Sequence, residues 1–356
     1  MMEKTDILSL NGRELETALL PFSAPRYRAA QIFDWLHKKR VPEFDGMTNI
    51  PKTFLLQLSD NFVIFDCNVE KKLKSMYDDT VKYLFSLYDG ELIECVVMKY
   101  KYGSTICIST QVGCKMGCGF CASGASGFKR NLMPSEMLAQ VYAAQRELDI
   151  TLSHVVLMGM GEPLDNFDNV VKFFELISDP AGQNISMRKI SVSTSGIVPR
   201  IYELAKLKLG VTLSVSLHAP NDEIRSKLMP INKQWGIDEL IEACRAYTKA
   251  TSRRISFEYI MIKGVNDSDE CALLLAKRLK GMLCHVNLIP VNEVPGKTNS
   301  SSGDNRIRAF SSILAEKGIN ATVRRSLGSD INASCGQLRR NSMHSLNNQR
   351  ESDLVV

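Results

Sequence analysis

The sequence predicts an α/β fold in which a parallel sheet, wound with helices and curved into a barrel, follows a small helical module and a short β-rich segment. Three observations predict it. Short β-favouring runs alternate with helical stretches from residue 104 to residue 324, the pattern of repeated βα units. The polar and glycine-rich segments of that region all follow the C-terminal ends of the runs, as at a barrel rim fed by many strands. The first 60 residues lack both features and show basic helical periodicity instead.

The elements follow in order. From Pro25 to Arg40 the apolar residues Tyr27, Ile32, Phe33 and Leu36 recur at helical intervals among Arg26, Arg28, His37, Lys38, Lys39 and Arg40. A second helix is predicted to begin near Pro51, whose fixed φ suits a first turn, and to carry Phe54, Leu55 and Leu58. The basic charge of this module has two readings, a solvated face on a packing unit or a surface that touches RNA. Residues 63–100 hold short β-favouring runs separated by turns such as Asp89-Gly90. Strands are then predicted at 104–109, 154–159, 188–193, 211–217, 255–260, 284–289 and 320–324, with helices at 134–148, 168–178, 198–208, 236–250, 268–280 and 304–317. Periodicity alone suits an open doubly wound sheet as well as a barrel; the polar strand ends favour the barrel. The chain divides into a helical accessory domain over 1–62, a β-rich connector over 63–100 carrying Glu94, a βα core over 101–340 and a polar tail over 341–356.

Composition bounds the function. With 356 residues, 44% hydrophobic and 23% charged, the chain reads as a globular protein, and no apolar run approaches the roughly 20 residues that span a bilayer. The start, Met1-Met-Glu-Lys4, has no basic tip followed by an apolar stretch, so the protein is expected to be cytoplasmic, with no membrane association. A net charge of +5 permits nucleic-acid binding without arguing for it. Ten cysteines in a chain without an export signal favour ligand or catalytic roles over a disulfide framework.

Cys114-Lys-Met-Gly-Cys118-Gly-Phe-Cys121 places three thiols in one glycine-bearing loop. Zinc also binds closely spaced cysteines, but a tetrahedral site wants a fourth ligand at a predictable distance and no second cysteine pair follows. An iron–sulfur cluster is therefore expected, and three ligands on a cubane leave one iron open to chelate a methionine. The three-then-two spacing, with an aromatic residue before the last cysteine, resembles the radical S-adenosylmethionine (SAM) superfamily. Such a protein must hold SAM. Gly159-Met-Gly161-Glu162-Pro163 follows a strand, where Glu162 could accept hydrogen bonds from a cationic amine. Ser193, Ser216, His218 and Asn292 lie on later strand ends. Each also has a structural reading, as a cap, a barrel-layer residue or a satisfied histidine.

The other cysteines divide unequally. Cys95, Cys244, Cys271 and Cys284 sit in strand or helix patterns and read as small core residues, while Cys67 is uninformative. Local pattern makes Cys107 a core residue too. Cys335 lies beyond the last strand between Ser334 and Gly336, a setting that favours contact with substrate.

Motifs spread from the N-terminal module to about residue 340 resemble the RlmN and Cfr group of radical SAM methyltransferases. They are Gln111-Val-Gly-Cys114, Gly127-Phe-Lys-Arg-Asn-Leu132, Met158-Gly-Met-Gly-Glu-Pro-Leu164, Ser193-Thr-Ser-Gly196, Ser216-Leu-His-Ala-Pro-Asn221, Met229-Pro-Ile-Asn232, Asn287-Leu-Ile-Pro-Val-Asn292 and Ala333-Ser-Cys-Gly-Gln-Leu338. The resemblance implies a partial (β/α)6, TIM-like barrel. It implies methylation of adenosine C2 in 23S rRNA near the peptidyl-transferase centre and in the anticodon loop of some tRNAs, by a monomeric enzyme reduced by a donor such as flavodoxin or ferredoxin. It implies one [4Fe-4S] cluster on Cys114, Cys118 and Cys121, and SAM, two per turnover, contacted by Gly161, Glu162, Ser193, Ser216, Leu217, His218 and Asn292. Cys335 matches the family cysteine that carries the methyl group, Cys107 the partner that forms a transient disulfide with it, and Glu94 the proton acceptor. Within the group, Pro163 and Phe128 resemble RlmN. Met98-Lys-Tyr100 and the stretch from Arg225 to Asn232 resemble Cfr, which methylates C8 and protects ribosomes from antibiotics. An iron–sulfur protein that binds RNA or carries electrons without methyl transfer is the alternative of another class. Lys129, Arg130, Arg324, Arg325, Arg339 and Arg340 are candidates for phosphate contacts.

Overall fold

The structure is a computed structural model, and it describes residues 4–121, 123, 127–291, 300–325, 327–331 and 333. The chain opens with β1 (Thr5–Asp6), followed by α1 (Gly12–Leu19), α2 (Tyr27–Phe33) and α3 (Lys52–Asn61), and β2 (Phe62–Val63) returns to pair with β1 in parallel. Asn11 sets the start of α1: its Oδ1 accepts from Glu14 N, while Glu14 Oε2 accepts from Asn11 N. α2 runs on as a wider π-helical turn to Lys39 and stops at Arg40, whose φ is 62°.

Much of this module's charge is used in packing. His37 is buried against Phe33 and Tyr142, Arg28 is buried beside Tyr27 and Phe54, and Lys39 lies over Trp35. Arg146 ties the core to the module, pairing with Asp66 and donating to Arg40 O.

The next three strands, β3 (Asn68–Lys74), β4 (Val81–Ser86) and β5 (Leu92–Tyr100), form an antiparallel meander that continues into β6 (Gly103–Cys107). They belong to the same ten-stranded sheet as the βα core. The hairpin of β7 (Gln111–Gly113) and β8 (Phe128–Asn131) stands apart from that sheet and brackets the cysteine loop. Among the described residues six helix–strand units follow: α4 (Pro134–Leu148), β9 (His154–Leu157), α5 (Phe167–Ser178), β10 (Ile190–Thr194), α6 (Val198–Lys206), β11 (Thr212–Ser216), α7 (Asp222–Leu228), α8 (Ile237–Thr251), β12 (Ile255–Met261), α9 (Asp269–Leu279), β13 (Cys284–Pro290), α10 (Asp304–Glu316) and β14 (Ala321–Val323).

Strand order decides between barrel and open sheet. The parallel strands lie side by side as β6, β9, β10, β11, β12, β13, β14, with no reversal. A doubly wound sheet reverses at a switch point. Right-handed crossovers stepping always the same way place every helix on one face, as in a barrel. The order ends at β14 and at β3, which are not paired with each other, so the barrel is partial. The exposed edge of β3 carries Lys71, Lys72 and Lys74 and a register shift after Val69, devices that discourage edge-to-edge pairing.

The two-residue alternation of the strands sorts their side chains. Val192, Leu213, Val215, Phe257, Val286 and Leu288 pack into the core under the helices. Ser193, Ser214, Ser216, Ser256, Glu258 and Asn287 take the opposite, inner face and stand in register across neighbouring strands. A barrel floor lined with hydroxyl, amide and carboxylate groups is suited to a polar ligand. Cys67, Cys95, Cys244, Cys271 and Cys284 are buried. Among the described residues no helix is long and apolar enough to cross a membrane.

Candidate active site

The cysteine loop is held at three points. At its base Gly113 has φ +78°, and a Cβ there would meet Gly127 O at 1.7 Å, so only glycine closes the hairpin. Within it, Cys121 N donates to Cys118 O at 3.2 Å. From outside, Gly119 N donates to Leu228 O at 2.8 Å, and Cys118 and Phe120 pack on Leu228, Met229, Ile260 and Val291. Burial pushes the Cys114 thiol up to about 11, with the Glu162 carboxylate and then Cys121 adding to the rise, and pushes Cys118 up to about 12, with Cys121 and Cys114 adding to it. Cys114 and Cys118, whose thiols resist ionisation beside Cys121, call for a cationic centre. Among the described residues, no three His, Cys, Asp or Glu side chains converge as they would around one ion. A cubane spreads its thiolates around separate irons, and this donor set fits it.

Beside the loop, β9 is followed by Gly159 and Gly161. A Cβ on either would lie 2.6 Å from Ile108 O or from the Gln111 side chain. This close approach lets Glu162 reach across to the next strand end. Its Oε2 accepts from Ser195 N at 2.6 Å, its Oε1 from Leu164 N at 3.1 Å, and its own N–H donates to Gln111 Oε1 at 2.8 Å. Burial raises its pKa against the opposing hydrogen bonds. The carboxylate first splices two loops together; an ionised carboxylate retains further lone pairs for a ligand amine.

Ser193 and Ser216 occupy the inner face at the ends of β10 and β11. The chain then bends: Leu217 N and His218 N both donate to Glu258 O, at 3.0 and 3.2 Å, and His218 takes φ +56°, unfavourable for a residue with a Cβ. His218 Nδ1 accepts from Ile260 N at 3.0 Å, which leaves the ring proton on Nε2. Burial, with Arg225 adding to it, lowers His218 to about 3, so the ring stays neutral. Phe120 of the cysteine loop meets this ring edge-on at 4.7 Å.

Sequence reasoning passed over Arg225 as a functional residue. It is fully buried, donating to Ser195 O at 2.6 Å, Ser216 O at 3.1 Å, Leu217 O at 3.2 Å and Asn232 Oδ1 at 2.9 Å. One guanidinium thus fixes the ends of β10 and β11. The only signal was the pairing of Arg225 with Asn232 in a stretch read for its branch resemblance.

Glu94 and Cys107 meet on the antiparallel side. β5 and β6 pair Val96 with Cys107, which puts Glu94, two residues from Val96, on the same face. Lys82 from β4 lies beside it, Nζ to Oε1 3.5 Å, and Ser109 Oγ donates to Glu94 O at 2.7 Å. Cys107 packs with Val96, Met98, Met158, Leu327 and Ala333. Burial pushes its thiol up to about 11, with Arg324 opposing the rise. Cys335 and Asn292 lie outside the described residues, as do Arg339 and Arg340. The approach to Cys335 is nonetheless anchored. Asp330 accepts from Ser75 Oγ at 2.7 Å and Met76 N at 2.8 Å, Gly328 N donates to Asp78, and Ala333 reaches the Cys107 cluster two residues before Cys335.

Of the phosphate candidates, Arg130 is engaged internally, bonding bidentately to Glu136 and through Nε to Asp89. Arg325 instead lines an open cavity of about 810 Å³ with Lys74, Lys99, Lys101, Tyr77 and Tyr102, within the ~300–1,000 Å³ usual for ligand sites.

Residues 108–275 match the Radical SAM superfamily, and residues 5–64 match the ribosomal RNA large subunit methyltransferase N-terminal domain. A probable dual-specificity RNA methyltransferase RlmN of Clostridium novyi (strain NT) is 52% identical over 94% of this chain and 98% of its own. Its counterpart in Alkaliphilus oremlandii (strain OhILAs) is 51% identical over 95% and 98%. The chain belongs to the RlmN family of radical SAM methyltransferases. A crystal structure of a radical SAM methyltransferase from Sphaerobacter thermophilus superposes with a TM-score of 0.90 at 45% identity, covering 94% of this chain and 98% of that one. Family membership brings with it SAM and a [4Fe-4S] cluster, in agreement with the donor set of the cysteine loop.

Proposed function

We propose that the protein methylates C2 of adenosine in 23S rRNA and in the anticodon loop of some tRNAs, at position 37, through an S-methylcysteine on Cys335. The observation that carries this reading is the convergence on one inner face of Glu94, Cys107 and the chain two residues before Cys335. Cys114, Cys118 and Cys121 would hold the cluster, and Gly161, Glu162, Ser193, Ser216, Leu217, His218 and Asn292 would contact SAM. When bound, the cluster supplies the electron that cleaves SAM to a 5′-deoxyadenosyl radical, with flavodoxin or ferredoxin as the reducing partner.

The protein's own residues do the rest. Cys335 accepts a methyl group at sulfur from one SAM. Once that methyl group has lost a hydrogen atom to the 5′-deoxyadenosyl radical of a second SAM, the carbon radical on Cys335 would add to C2 of the adenine ring, a position too weakly nucleophilic for ordinary displacement. Glu94 takes the ring proton at C2. Once the adduct has given up an electron, which the cluster left oxidised by SAM cleavage would take back, Cys107 attacks the Cys335 sulfur; the thioether breaks, the released methylene is protonated to a methyl group, and a Cys107–Cys335 disulfide remains for cytoplasmic thiols to reduce. Arg325, Lys99 and Lys101, beside Tyr77 and Tyr102, offer phosphate and stacking contacts to RNA at the cavity mouth.

The test is incubation with SAM labelled in its methyl group and an rRNA or tRNA fragment, then nuclease digestion and chromatography. Label in 2-methyladenosine from both RNAs is expected. Label in 8-methyladenosine would assign the protein to the Cfr chemistry, and SAM cleavage without label in RNA would refute methyl transfer.

A further inference from the structure

Glu258 is a buried carboxylate on the inner face of the barrel with half of its binding capacity unused. Its side chain is 4% exposed. Oε1 is fixed, accepting from Asn287 Nδ2 at 3.0 Å and from Ser256 Oγ at 3.1 Å. Asn287 is itself oriented by Thr322 Oγ1, and Thr322 by His285. Among the described residues, Oε2 has no hydrogen-bond partner. A buried acceptor left without a donor is unfavourable, more so when charged, so an arrangement that locks one oxygen and leaves the other bare calls for a donor beyond the described residues.

Position identifies the donor. Glu258 is the register partner of Ser216 on β11, and its own carbonyl holds the N–H groups of Leu217 and His218. It is therefore built into the backbone of the Ser216-Leu217-His218 bend. Among the described residues, the groups in register with Glu258 or joined to its hydrogen-bond network are Ser216, Ser256, His285, Asn287 and Thr322; none is a lysine or an arginine. Burial and Arg254 both keep His285 below its usual range. Neutral hydroxyl donors suit such a carboxylate, and two side chains abreast on adjacent strands match the two vicinal hydroxyls of a ribose, as acidic residues do in dinucleotide sites. We propose that Glu258 Oε2 accepts a hydrogen bond from a ribose hydroxyl of SAM. This rests on the reading of Ser216, Leu217 and His218 as SAM contacts.

Equilibrium binding to the anaerobic holoenzyme tests it, with SAM and its 2′-deoxy and 3′-deoxy analogues. The wild type is expected to bind one analogue at least tenfold more weakly than SAM. Glu258→Gln, which keeps size and Oε1 but replaces the Oε2 acceptor by a donor, should bind SAM at least tenfold more weakly and no longer distinguish that analogue. Ser256→Ala, which loosens the network but spares Oε2, should keep the distinction, so a general packing defect is recognisable. Wild type that binds both analogues as tightly as SAM, or Glu258→Gln that binds SAM normally, overturns the proposal. Wild type that binds no SAM at all would overturn the SAM-site reading beneath it.

Discussion

Lys82 Nζ lies 3.5 Å from Glu94 Oε1, and neither side chain reaches solvent. The pair joins β4 to β5 on the inner face that also carries Cys107. Removing one member of a buried ion pair strands the other charge and costs about 3–5 kcal/mol, whereas replacing both by apolar groups is often neutral. Lys82→Met is expected to lower thermal stability by several degrees and to abolish RNA methylation while the purified holoenzyme still cleaves SAM. Lys82→Met combined with Glu94→Leu should recover the stability and not the methylation. Recovery of both would show that the pair serves packing alone.

The roles proposed for Cys335 and Cys107 separate by variant. Cys335→Ala removes the acceptor sulfur and should leave the protein free of label when it is incubated with methyl-labelled SAM. Cys107→Ala should still load the methyl group and attack RNA, then persist as a crosslinked species visible as a shifted band on a denaturing gel. Normal turnover by Cys107→Ala would return that residue to the core role its apolar neighbours Val96 and Met98 suggest.

Cluster uptake is expected to depend on pH in a defined direction. With Cys114 and Cys118 pushed up to about 11 and about 12 in the metal-free protein, both are thiols at neutral pH and must lose their protons to bind. Reconstitution should therefore release protons and become more favourable as pH rises from 7 to 9, reaching about four irons per chain. Cys118→Ala should lose the visible absorption of the cluster. Zinc retained in place of iron by freshly prepared anaerobic protein would contradict the assignment.

His37 makes the joint between the N-terminal helices and α4 sensitive to acid. Its Nδ1 lies 3.0 Å from Tyr142 Oη, and burial lowers its pKa to about 3. Between that value and the ordinary pKa near ~6.5, the unfolded chain binds a proton that the folded chain refuses. The stability due to the neutral ring is complete above that ordinary value and is lost as pH falls below it, by up to about 1.4 kcal/mol per pH unit. His37→Phe should flatten the pH dependence of chemical unfolding between pH 4 and 6. An unchanged slope would place the acid sensitivity elsewhere.

The sequence by itself determined what depends on neighbours along the chain. The three-cysteine loop, Gly161-Glu162-Pro163, the polar strand ends and the alternation of seven parallel strands with helices are short-range patterns, and the observed elements lie within a few residues of the predicted positions. Three features needed the tertiary structure because their partners are far apart in sequence. The winding direction, which makes the sheet a partial barrel, depends on which strands pair, and residues 68–100 proved to extend that sheet through the β5–β6 pairing. Arg225 bonds to strand ends up to 30 residues away, so a local reading saw only a stretch that resembles one branch of the family. Lys82, Glu94, Cys107 and Ala333 come from four separate segments. Periodicity assigns each a face, but only the strand order of the sheet brings those faces together.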